Sequence, residues 1–144
     1  MKERRGFTLT ELLIVVMIVA VLAAVSLPMM RGNLGMARAT EAVAALGAIR
    51  TQMRLMFAET GSYLDIPNTT DDFVAGAKTA VYAAAWPHVP GFNDGDLDGT
   101  YYLQGDYTIT VADDDHYVID AAEHGDAPAV QMNQAGTITY PEPE

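Results

Sequence analysis

The chain has 144 residues, a formal net charge of -11 and no cysteine, so it offers one small domain once any apolar segment is set aside, and no disulfide can hold that domain. Seven basic residues (Lys2, Arg4, Arg5, Arg31, Arg38, Arg50 and Arg54) precede residue 55, after which Lys78 alone faces sixteen acidic side chains. Affinity for nucleic acids comes largely from Lys and Arg neutralising phosphates, so no direct nucleic-acid partner is expected.

The first element begins behind Lys2, Arg4 and Arg5 and carries no charge from Leu12 to Met30. That run is close to the roughly 20 apolar residues that cross a bilayer as a helix. The basic residues ahead of it place the N-terminus on the cytoplasmic side and everything after Met30 outside. Glu11 stands at the start of the run, where an unpaired carboxylate costs on the order of a few kcal/mol, so a partner is expected for it. Cutting the chain between Gly6 and Phe7 would supply one, since the new amine lies four residues, about one helical turn, before Glu11.

The basic leader ending in Gly6, the run Phe7-Thr8-Leu9-Thr10-Glu11-Leu12-Leu13-Ile14-Val15-Val16, and Pro28 near the far end of the apolar stretch resemble the class III signal of type IV pilins and pseudopilins. The resemblance covers about residues 1 to 60, with Thr10 standing where the family usually has an aliphatic residue. It implies cleavage after Gly6 by a prepilin peptidase, N-methylation of Phe7, and use of Glu11 to align an incoming subunit against the amine of one already in place. It also implies a homo-oligomeric helical filament, an α+β pilin fold and a stay in the inner membrane before assembly. Many Gram-negative pilins close a C-terminal loop with a disulfide; a chain without cysteine stands nearer the cysteine-free pilins or the major pseudopilin of type II secretion. Two other readings of the N-terminus fit less well. Ala37-Arg38-Ala39 imitates a secretory cleavage site, but the apolar region is too long for a signal peptide and Glu11 spoils its start. A plain single-span anchor requires neither Gly6 beside Phe7 nor Glu11.

Pro28 removes a backbone donor and, with Gly32 and Gly35, is expected to kink or loosen the helix; by resemblance, the segment around it unwinds in an assembled fibre. Ala39, Ala42, Leu46, Ile49, Met53 and Met56 then recur at spacings of three and four, which extends the helix to about Ala58, ahead of Gly61. Met53 and Met56 read as core filler. The chain thus divides into a leader (1–6), a transmembrane and polymerisation helix (7–30), its amphipathic continuation (31–58) and a head (59–144).

Residues 59–70 are turn-rich and correspond by resemblance to the exposed αβ-loop, opening at Gly61-Ser62-Tyr63. Thr70 followed by Asp71 and Asp72 has the pattern of an N-cap with an acidic first turn. Phe73, Val74, Ala77, Ala80, Val81 and Ala84 would give a second, short helix an apolar face, running to Trp86 and stopping at Pro87.

Asp94, Asp96 and Asp98 alternate ahead of Gly99 and repeat the first half of an EF-hand-type loop, in which oxygens at positions one, three and five surround calcium. The second half is missing, because position twelve is Gly105 and Asp106 would serve only through a different geometry. A solvated acidic turn and a weak calcium site, with affinity of about 10⁻⁴–10⁻³ M, both fit these residues.

From Tyr101 the period changes to two. Residues 106–112 and 116–121 form a hairpin around Asp113-Asp114-Asp115, and 129–133 and 137–140 form a second around Gln134-Ala135-Gly136. The fold expected is a long N-terminal helix packed on an antiparallel sheet of about four strands. His88, His116 and His124 are scattered, Ser26 and Ser62 lack a nucleophile-elbow context, and no phosphate loop is present, so catalysis is not expected. The function that these features imply is a structural filament subunit serving adhesion, motility or attachment. The alternatives are the major pseudopilin of a type II secretion system, or a membrane-tethered, calcium-ordered binding domain that never polymerises.

Overall fold

The computed structural model describes residues 7–67, 69, 71–85 and 87–141, with 27–29 and 31–33 described by their backbone. One long helix, α1 (Leu9–Thr60), is followed by five strands, β1 (Lys78–Ala80), β2 (Tyr107–Val111), β3 (Tyr117–Ala121), β4 (Val130–Asn133) and β5 (Ile138–Thr139), with a 3-10 turn at Gln104–Asp106. The chain forms two compact units that meet at Leu34 and Gly35, within α1.

In the first unit, α1 from Leu12 to Val25 exposes apolar side chains on every side. Its 18 residues from Leu9 to Ser26 have a mean hydropathy of 2.6 and none of the span is buried, so by length and composition it can cross a membrane. A helix apolar all round needs an apolar surrounding that this chain does not itself provide. The helical backbone continues through Pro28, Gly32 and Gly35. The chain is thus not unwound at Pro28 in the single copy; the unwinding implied by the resemblance concerns the assembled state.

In the second unit α1 is amphipathic. Ala39, Ala42, Leu46, Ile49, Met53 and Met56, the six residues of the expected stripe, are all buried. Full burial of a side chain such as Leu46 or Ile49 contributes about 1.5–3 kcal/mol. The helix ends two residues beyond the expected Ala58. Gly61 takes a left-handed conformation (φ 82°) and donates its N–H to Phe57 O at 2.8 Å, a C-terminal cap open to glycine at little steric cost. Thr60 Oγ1 donates to Met56 O at 3.0 Å and strengthens the stop.

The strands pair antiparallel in sequence order, β1-β2-β3-β4-β5. In the central hairpin Ile109 stands opposite Ile119, and in the next pair Ile119 stands opposite Met132. Tyr107, Ile109, Val111, Tyr117, Ile119, Ala121, Val130 and Met132 are buried on one face, and they join the α1 stripe in a single apolar cluster. Alternation of buried with half-exposed residues along β2 is what places that face on the helix. Tyr63 stacks edge-on against Tyr117, with ring centroids 4.7 Å apart. Burial pushes the Tyr117 phenol up to about 12, and its hydroxyl has no hydrogen-bond partner among the described residues.

The short helix expected between Thr70 and Trp86 is replaced by irregular chain and β1, while Thr70 and Trp86 themselves lie outside the described residues. Gly76, at φ 74°, turns the chain left-handed in the middle of the stretch and donates to Val111 O at 2.7 Å, where a helix would need φ near -60°. Asp72 accepts the Ile66 N–H at 3.1 Å instead of starting a helix. Phe73 and Val81 reach the core while Val74 is exposed, so the apolar residues do not share one helical face. Lys78, Thr79 and Ala80 pair with Thr110, Ile109 and Thr108, and this edge makes five strands where about four were expected.

Candidate functional site

The start of α1 is built by two side chains that cap one another. Thr8 Oγ1 accepts the Glu11 N–H at 3.2 Å, while Glu11 Oε2 accepts the Thr8 N–H at 2.9 Å and the Thr8 hydroxyl at 2.8 Å. This is a reciprocal capping box, which satisfies donors that a helix N-terminus otherwise leaves without partners. Both bonds to the carboxylate fall on Oε2 and come from neutral groups. The hydrogen bonds hold Glu11 in place at the head of the apolar helix, and its negative charge is not neutralised by them. Thr8 thus caps the helix and holds the carboxylate by hydrogen bonds, which is distinct from the charged partner expected for Glu11, and this cap was not among the sequence expectations. The signal was present in Thr8-Leu9-Thr10-Glu11, which has the Thr-x-x-Glu spacing of the box.

Phe7, immediately before the cap, is largely exposed. Gly6 and the basic residues Lys2, Arg4 and Arg5 lie outside the described residues, and for Pro28 the backbone alone is described. Downstream of Glu11, Ser26 Oγ donates to Leu22 O at 2.8 Å, which keeps the hydroxyl satisfied within the helix.

The acidic loop is organised by protein donors. Asp94 Oδ1 accepts Gln104 Nε2 at 3.2 Å and Asp98 Oδ1 accepts the Gln104 N–H at 2.7 Å. Asp96 Oδ2 accepts Asn93 N–H at 2.7 Å and Asn93 Nδ2 at 3.0 Å. The three carboxylates do not converge: among the described residues no group of three His, Cys, Asp or Glu side chains is placed to hold a metal ion. His116 pairs with Asp113 at 2.7 Å and His124 with Asp106 at 3.0 Å, while His88 lies beside the Tyr82 ring.

Polar residues of α1 secure the loops of the second unit. Glu41 Oε1 accepts Tyr101 N–H at 2.8 Å and Tyr102 N–H at 2.9 Å, and Oε2 accepts Thr100 N–H at 3.0 Å. Partial burial alone would raise the Glu41 carboxyl, but these three donors stabilise its charged form and hold it below the ordinary glutamate value. A Cβ on Gly99 would overlap the same carboxylate, which would have to shift from its three donors to make room. Arg38 lies 5.4 Å from the Tyr101 ring centroid and pairs with Asp126 at 3.1 Å. Farther along, Arg50 Nε donates to Gln134 O at 3.0 Å and Nη2 to Ala135 O at 3.1 Å, which fixes the turn before β5.

Residues 1–27 match the family model described as the prokaryotic N-terminal methylation motif. Two curated fimbrial proteins of Pseudomonas aeruginosa are each 41% identical to this chain over 51 residues, a stretch that covers 35% of this chain and 33% of the relative. The chain thus spans about a third of the length of the curated relatives it matches. No solved structure matches. The motif covers the cap and most of the apolar helix, and the motif and the likeness to fimbrial proteins both support the type IV pilin resemblance read from Gly6 to Val16.

Proposed function

We infer that this chain is a structural subunit of a type IV pilus-like filament, made as a membrane-anchored precursor and polymerised through α1 after a prepilin peptidase cuts between Gly6 and Phe7 and methylates Phe7. The observation that carries this reading is Glu11: a carboxylate fixed at the head of an apolar span by Thr8, whose neutral donors leave its charge in place. In the lipid the apolar surface of Leu9–Ser26 faces acyl chains. On extraction into a fibre, the same surface from several copies buries against itself, which keeps it from water once the lipid is left behind. Burial of this kind has no direction, so it cannot set how far one copy slides along another. Pairing of Glu11 with the amine of a neighbouring Phe7 supplies that register, because a desolvated ion pair is far weaker one turn out of place.

The machinery acting on the chain is then the peptidase and methyltransferase, the pilus or secretion assembly apparatus, and further copies of the chain. The locations are the inner membrane before assembly and the cell surface after it, in the service of adhesion, motility or attachment. A major pseudopilin of a type II secretion system, acting in the periplasm, is the second reading, favoured by the absence of cysteine.

Mass spectrometry of the mature protein tests the processing. A methylated phenylalanine at the N-terminus is expected, and an intact Met1 or a start near Thr40 overturns it. Electron micrographs of sheared fibres separate the readings. Long fibres containing the chain are expected for a pilus, and short ones, or fibres seen on overexpression alone, would indicate a pseudopilus. No fibre even on overexpression would indicate a membrane-tethered domain.

A further inference from the structure

The loop from Asn93 to Gln104 has the sequence of a divalent-cation loop in its first half, yet its geometry is set by a neutral side chain. In loops of the calcium-binding pattern, carboxylates at positions one, three and five repel one another until a cation stands between them, and a bidentate glutamate at position twelve closes the ring. Here, counting from Asp94, Gln104 is position eleven. Its Nε2 donates to Asp94 at 3.2 Å and its backbone N–H donates to Asp98 at 2.7 Å, so the first and fifth positions are both drawn to one residue. Its Oε1 accepts the Gly95 N–H at 2.9 Å, and Gly95 is free to turn that N–H inward because it adopts φ 83°. Asp96 is turned away to cap Asn93 at the loop's start. The carboxamide is suited to this position because it donates and accepts at once, where a carboxylate would add a fourth negative charge to the loop.

A second fastening acts from outside. Glu41 of α1 receives the three consecutive N–H groups of residues 100–102, immediately before Gln104. The loop is thereby tied at its acidic end by Gln104 and at its exit by Glu41.

We propose that Gln104 takes the role that a divalent cation has in loops of this pattern, so that the chain from Asn93 to Gln104 is ordered by its own hydrogen bonds and keeps its shape without calcium. The test uses the full chain in detergent micelles, with thermal unfolding and limited proteolysis read in a calcium chelator and in about 5 mM calcium, above the affinity range of weak extracellular sites. The wild-type midpoint is expected to agree between the two conditions within about 1 °C. Gln104→Ala is expected to lower the midpoint in chelator by about 4–8 °C and to expose new cleavage between residues 93 and 104. A wild-type midpoint that rises by several degrees in calcium overturns the proposal, because a cation then orders the loop. A Gln104→Ala protein indistinguishable from wild type in both midpoint and cleavage also overturns it, because the loop then does not depend on the amide.

Discussion

The two halves of α1 share one backbone and differ in everything else. From Leu9 to Ser26 no part of the span is buried and no side chain after Glu11 is charged, while from Ala39 to Met56 a stripe of six residues is fully or almost fully enclosed by the sheet. The second half is stabilised by contacts within its own chain, and its polar flank, Arg38, Glu41 and Arg50, adds fastenings to three loops. From Leu9 to Ser26 the first half has no buried residue, so it is not stabilised by packing of that kind. Helix formation is thus common to both halves, and the source of burial is what distinguishes them.

Substitutions in the two halves should therefore separate assembly from folding. The largest effect is expected for Glu11→Ala, which should cut recovered polymer by about tenfold or more while leaving the unfolding midpoint of the unassembled chain unchanged. Polymer yield at the wild-type level would remove the role given to Glu11. Met53→Ala should do the reverse, lowering stability by about 2–5 kcal/mol through a core cavity, whereas Ile18→Ala should leave the unassembled chain's stability within about 0.5 kcal/mol; denaturant titration compares the two.

The fastenings provide a finer test. Glu41→Ala leaves three N–H donors without their acceptor and should cost about 1–3 kcal/mol. Gly99→Ala should destabilise wild type but do so far less in a Glu41→Ala background, because the added methyl would then have room; a double-mutant cycle measures the coupling. The pH dependence has a definite sign. Since the Glu41 carboxyl is held below its ordinary 4.5 in the folded chain, its contribution is present above that value and is lost as pH falls through the folded pKa. The stability gap between wild type and Glu41→Gln should accordingly close on acidification in that range. The smallest effect is expected for Tyr117→Phe: the buried hydroxyl has no partner among the described residues, so its removal should be neutral or stabilising by about 1 kcal/mol.

Where a residue's role depends on spacing along one element, the sequence made it readable. The stripe from Ala39 to Met56, the alternation in β2 and β3, and the hairpin turns at 113–115 and 134–136 follow from periods of 3.6 and two. The helix expected after Thr70 was misread because its apolar residues do recur at helical spacing, and the outcome was decided by Gly76 and by a sheet edge some thirty residues away at Thr108–Thr110. Glu11 was legible as a charge in an improbable place, and its Thr8 cap was legible too, being a four-residue motif. Glu41 and Gln104 were not. Neither has a motif of its own, and each acquires its meaning from backbone N–H groups brought to it by the fold.

The Arg50 contacts bear on the order of events during folding. The guanidinium reaches carbonyls 84 and 85 positions later in the chain, and Glu41 reaches N–H groups 59 to 61 positions later. With synthesis running from the N-terminus, the second half of α1 would wait unfastened until nearly the last residues had been made. A copy truncated before Gln134 would lack β5 and the last of these links, so the fastenings close only on a chain that is nearly whole.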